Sequence, residues 1–69
     1  MGSQKVLING NEEVVLVGTT IKTYLLNHQI NPNVVACELN LKVIRRQNLD
    51  AVVLKEGDQL EIIRMIGGG

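Results

Sequence analysis

With 69 residues, 45% of them apolar, the chain has material for one small core and no more. Seven Lys and Arg balance seven Asp and Glu, so no basic field is offered to a nucleic acid, and the single aromatic, Tyr24, cannot build a base-stacking platform. Cys37 stands alone, which excludes an internal disulfide and any multi-cysteine metal or cluster site.

The first run, Lys5-Val6-Leu7-Ile8-Asn9, is β-branched and ends in Asn9-Gly10, a strong short hairpin signal. The return strand is expected over Glu12–Val17, ending at Gly18, with Glu12-Glu13 as hairpin surface. Thr19-Thr20 offers N-caps for a helix in which Ile21, Tyr24, Leu25 and His28 fall on one stripe, with Lys22, Thr23 and Asn27 pointing away. Pro32 is expected to end that helix and open a loop. His28, at the helix end, is favoured by the dipole as a cation, and a lone His makes no metal site.

Val34–Leu39 reads as a strand, followed by a turn near Asn40 and the short run Lys42-Val43-Ile44. Cys37 lies within the strand, flanked by Ala36 and Glu38, and reads as a buried small hydrophobe. Arg45–Asp50 is polar and irregular, Ala51–Leu54 briefly apolar, and Lys55–Asp58 a turn that Asp58 organises through its side-chain acceptor. The last strand is expected over Gln59–Ile66. The order β-β-α-β-short β-β implies an α+β domain of the β-grasp, ubiquitin-like kind, a mixed sheet of four to five strands packed on one helix. Residues 1–66 are assigned to this domain and 67–69 to a flexible tail.

The tail is Gly67-Gly68-Gly69. Three residues without a Cβ can thread a channel that excludes any other side chain. The only reactive group such a tail carries is its terminal carboxylate, ionised at neutral pH and a poor electrophile until something activates it. No apolar stretch reaches the roughly 18 residues of a membrane span, no secretory signal is present, and Val6 stands where a myristoylation pattern wants Ser or Thr. A soluble cytoplasmic protein, monomeric on its own, is the expectation.

Landmarks along nearly the whole chain from Lys5 resemble one family. They are Ile8-Asn9-Gly10, Thr20-Ile21, Leu25-Leu26, Val35-Ala36-Cys37-Glu38-Leu39-Asn40, Val43-Ile44-Arg45-Arg46, Glu56-Gly57-Asp58-Gln59-Leu60-Glu61-Ile62-Ile63 and the terminal glycines. Each is weak alone; together they are similar to the ThiS family of sulfur carriers. Arg45 stands where the family often has Pro, and Tyr24 and His28 fill helix sites more often aliphatic.

The resemblance implies a protein co-substrate rather than an enzyme. It binds no cofactor; a ThiF-like adenylyltransferase uses ATP and Mg to join AMP to the carboxylate of Gly69. A persulfide sulfur from a cysteine desulfurase or sulfurtransferase then converts that end to a thiocarboxylate. A ThiG-like thiazole synthase accepts the sulfur for the thiazole ring of thiamin. Gly69 is the modified residue, and Gly67 and Gly68 are the partner-binding tail. Alternation along the last strand puts Ile63 and Met65 on the face opposite Leu60 and Ile62, a candidate partner face together with Arg46. Arg64 falls on the nominally inward side.

Other readings stay open at this point. A molybdopterin synthase small subunit shares the fold and the terminal glycines, although such subunits are longer and richer in aromatics. A plain ubiquitin-like interaction module has a tail that never reacts, and a protein modifier acylates a lysine. Arg45 and Arg46 also read as a solvated turn, and single exposed apolar residues as ordinary surface.

Overall fold

The computed structural model describes residues 2–65. Strand β1 (Ser3–Ile8) pairs antiparallel with β2 (Asn11–Leu16) through the two-residue turn Asn9-Gly10. Both turn residues have positive φ, 51° and 84°, the backbone of a type I′ turn whose twist matches that of the strands it joins.

Thr20 caps helix α1 (Ile21–Asn27), its Oγ1 accepting the Thr23 N–H at 3.0 Å. The helix closes well before Pro32. The N–H of Ile30 donates to the Leu25 carbonyl at 2.8 Å and that of Gln29 to Leu26 at 3.0 Å. This is a Schellman closure with Gln29 in the left-handed position at φ 60°. Pro32 instead starts a single 3-10 turn, Pro32–Val34.

Because the helix stops at Asn27, His28 is its C-cap and is exposed, off the buried stripe expected for it. Its ring lies 4.2 Å from that of Tyr24, centroid to centroid, while half-buried Ile30 continues the stripe instead. A left-handed non-glycine costs about 1–2 kcal/mol. Glycine there gives back about 0.5–1 kcal/mol in unfolded-state entropy. Gln29→Gly is therefore expected to raise stability by about 0.5–1 kcal/mol, read as a higher urea midpoint at unchanged m.

Strand β3 (Val35–Leu39) turns through Asn40-Leu41, both at positive φ, into β4 (Lys42–Ile44). A 3-10 turn (Arg46–Asn48) follows, and Leu49 and Leu54 plug the core from the irregular stretch between β4 and the last strand. That stretch is tied to the helix start: Thr20 bridges to Val53, and the N–H of Ile21 donates to the Val52 carbonyl at 3.0 Å. At the next turn the Asp58 carboxylate accepts the Lys55 N–H at 2.8 Å, with Gly57 at φ 83°.

Strand β5 (Gln59–Arg64) enters the middle of the sheet, whose order is β2-β1-β5-β3-β4. It runs parallel to β1 and antiparallel to β3. The result is the expected mixed β-grasp sheet, with five strands and one α-helix among the described residues. Ile21, Tyr24 and Leu25 of α1 pack on the inward residues of the strands, Val6, Ile8, Val15, Val35, Cys37 and Leu60. Regular pairing in β5 stops at Arg64, and the Met65 N–H still donates to the Val34 carbonyl at 2.9 Å; the expected last residue of the strand, Ile66, lies outside the described residues.

Candidate functional site

The end of the sheet from which β5 leaves is the place to look, because Gly67, Gly68 and Gly69 follow it directly. Those three glycines and Ile66 lie outside the described residues. What the structure does place is the surface that leads up to them.

Inward positions of β5 carry Leu60, fully buried, and Ile62, half-buried. Outward positions carry Glu61 and Ile63, with Met65 beyond; Ile63 is 50% and Met65 45% exposed. Cross-strand pairing sets Ile63 against Ala36 and Glu61 against Glu38. Val34, next to the Met65 bond, is also exposed. Ile63 and Met65 thus stand together on the sheet face away from α1. Arg64, on the inward parity, escapes burial because it lies at the end of the sheet, opposite Val35.

Arg46 sits elsewhere. Its guanidinium donates to the Asn33 carbonyl at 3.2 Å, and it shares a shallow hollow with Lys22, Pro32 and Gln47. Asn33 precedes Val34, so Arg46 reaches the tail end of the molecule from the helix side, not from the open face.

Two asparagines that read only as turn formers do more. Where β1 ends, Asn9 replaces it with a side chain, its Oδ1 accepting the Ile62 N–H at 2.7 Å. Asn40 grips the start of β5: its Oδ1 accepts the Gln59 N–H at 2.9 Å, and its Nδ2 donates to Asp58 at 3.0 Å. The left-handed turn is what aims each side chain back at β5, and that depends on which strands become neighbours. Sequence reasoning therefore had no signal for it.

The polar and titratable groups of the described residues serve the fold. An open hollow of about 630 Å³ is lined by Leu39, Asn40, Val52, Val53, Lys55 and Asp58. Both Asp58 oxygens are already used to hold the turn. Cys37 is buried in β3, and burial pushes its thiol up from the usual range, away from the reactive thiolate. The Tyr24 hydroxyl donates to Glu13 Oε1 at 2.6 Å, so Glu13 is more than hairpin surface: it ties α1 to β2. Burial, and then the Glu13 carboxylate, hold the phenol strongly in its protonated form. Among the described residues no group of three or more His, Cys, Asp or Glu is placed to hold a metal ion. No helix among them is long and apolar enough to cross a membrane.

Comparison with known proteins fits this geometry. A crystal structure of the thiamine biosynthesis protein ThiS from Geobacter metallireducens superposes with a TM-score of 0.83 at 28% identity, covering 96% of this chain and 100% of that one. A solution NMR structure of a thiamine biosynthesis protein from the same organism gives 0.77 at 28% identity, covering 96% and 88%. Among curated proteins, a thiazole synthase of Magnetococcus marinus is 40% identical over 65 residues, and one of Paramagnetospirillum magneticum 34% over 65. Each alignment takes in 94% of this chain, which spans only about a fifth of the length of those relatives (20%). The family model for ThiS matches residues 3–69, through the last glycine, and the chain belongs to the ThiS family.

Proposed function

We propose that this chain is a sulfur carrier for the thiazole ring of thiamin, a co-substrate that is itself acted upon. The observation that carries the reading is the family match running through Gly69, on a chain whose central strand ends five residues before that glycine. Two thiazole synthases contain a stretch like this chain within a much longer polypeptide. Linking a carrier to the enzyme that consumes its cargo raises their effective concentration, which supports a ThiG-like synthase as the acceptor here.

The chemistry follows from the inertness of a carboxylate. An oxygen of the Gly69 carboxylate attacks the α-phosphorus of Mg-ATP, held by a ThiF-like adenylyltransferase, and pyrophosphate leaves. The acyl adenylate is now a good acyl donor. The terminal sulfur of a persulfide, from a cysteine desulfurase or sulfurtransferase, attacks its carbonyl and AMP leaves. A thiol then cleaves the acyl disulfide, leaving a thiocarboxylate on Gly69. The carrier contributes presentation: a rigid sheet, a tail slim enough for the partner's channel at Gly67 and Gly68, and a docking face with Ile63 and Met65. Arg46 flanks that face from the helix side and acts at its rim, where charge mainly tunes encounter rates.

Incubation with the cognate adenylyltransferase, Mg-ATP and a sulfur donor should add the mass difference of one oxygen exchanged for one sulfur. An unchanged mass, with an enzyme active on a known carrier, would overturn the proposal.

A further inference from the structure

We propose that Asn9 is a positioning residue for the chemistry at Gly69, its side chain holding in line the half of β5 that projects beyond β1. The inference rests on the carrier reading above and extends presentation of the tail to a residue in the body of the domain.

Strand β5 outruns one of its two neighbours. Its parallel pairing with β1 covers only Leu7 against Gln59 and Ile8 against Leu60, whereas β3 stays beside it from Leu60 to Arg64. The backbone groups of successive residues point to opposite sides of a strand. Leu60, Ile62 and Arg64 turn theirs toward β1, as the bond from the Asn9 N–H to the Leu60 carbonyl at 2.9 Å fixes. Ile62 is the first of these to lie beyond the end of β1, and Asn9 Oδ1 accepts its N–H at 2.7 Å. One residue thus supplies two rungs, the second in place of a strand that has already turned away. Past Ile62 no further bond is made on that side among the described residues. On the other side the ties run on to the Met65 N–H, which donates to Val34.

Two demands meet at Asn9. The turn needs a left-handed backbone, here φ 51°, which Gly, Asn and Asp take most readily. Of these only Asn and Asp also carry an acceptor for a neighbouring N–H. Glycine therefore satisfies the turn and not the tie, which separates folding from positioning at one site. Without the tie, residues 62–65 are held from the β3 side alone. Ile63 and Met65, the proposed docking residues, lie on that stretch, and Gly69 follows Ile62 by seven residues. A partner that grips the face and threads the tail needs both in fixed relation to the domain, because a misplacement of about 1 Å can cost a hundredfold in rate.

The test sets Asn9→Gly beside Asn9→Asp and Asn40→Gly. Asn40→Gly is the matched control: it too spares a left-handed turn residue, at φ 52°, and removes a side-chain bond to a β5 amide. That amide belongs to Gln59, at the end of the strand away from the tail. Pyrophosphate release by the cognate adenylyltransferase is followed, with urea unfolding and amide hydrogen exchange of each chain. Asn9→Gly should lose about tenfold in kcat, with KM changing less. Its Ile62 amide should exchange about tenfold faster. Asn9→Asp, which keeps the acceptor, should stay within about threefold of the wild-type rate. Asn40→Gly should keep that rate, although it lowers the urea midpoint at least as much as Asn9→Gly does. Wild-type kcat in Asn9→Gly overturns the inference, and so does a loss confined to KM. An equal loss of rate in Asn40→Gly, or no retention of rate in Asn9→Asp, overturns it as well. A wild-type chain that releases no pyrophosphate, with an enzyme active on a known carrier, fails differently: it removes the carrier reading itself.

Discussion

One alanine appended after Gly69 is expected to abolish both pyrophosphate release and thiocarboxylate formation while leaving the fold of residues 2–65 as it is. The appended residue turns the Gly69 carboxylate into an amide, which has no anionic oxygen to attack the α-phosphorus. It also moves the new carboxylate about 3.3 Å further along the chain, and a misplacement of about 1 Å can cost a hundredfold in rate. Gly68→Val should be nearly as damaging, about a hundredfold or more, because a branched Cβ would not fit the channel proposed above, which takes bare backbone. Gly67→Ala, one step further out, should stay within about threefold of wild type. Intact-protein mass and pyrophosphate release read all three variants. Wild-type labelling of the extended chain would leave an interaction module whose tail takes no part in chemistry.

Leu60→Ala is expected to cost about 3–4 kcal/mol. The residue is fully buried and pairs with Ile8 on one side and Leu39 on the other. A buried Leu→Ala change forfeits about 2–5 kcal/mol, depending on how far the cavity collapses. Core strands on both sides of Leu60 leave little room to collapse. A chain of 69 residues has about 3.5–10 kcal/mol of stability in all, so this one substitution removes a third or more of it. Ile63→Ala, three positions on and half exposed, should change stability by no more than about 0.5 kcal/mol. Urea unfolding of the pair separates a core residue from a surface one on the same strand. Equal costs would mean that the outward face of β5 is packed in solution.

Much of this could be read before any coordinates. Asn9-Gly10 specified its turn because few other dipeptides take two positive φ values cheaply, and the ends of the hairpin followed to within two residues. The phase of β5 followed from Leu60 alternating with Glu61, which put Ile63 and Met65 outside.

The helix end was not legible, because Gln29 occupies a left-handed position that glycine usually advertises. Pro32, the loudest signal nearby, belonged to the next element. The stretch from Arg46 to Leu54 looked irregular, and locally it is. Its order comes from Leu49 and Leu54 reaching the core and from the bridge between Thr20 and Val53, contacts no local pattern announces.

The parallel seam between β1 and β5 has a mechanical meaning. Along it the Gly57 N–H donates to Lys5, that of Leu7 to Asp58, and that of Asn9 to Leu60; the Ile62 N–H ends the row on the Asn9 side chain. The two strands leave the seam at opposite ends, so tension between the tail and the start of the chain loads these bonds together, in shear. A hairpin pulled at its open end gives way bond by bond, as a zip does. An enzyme of the kind proposed would, in drawing on the glycines, pull against a stiff handle, so that the domain moved as one body.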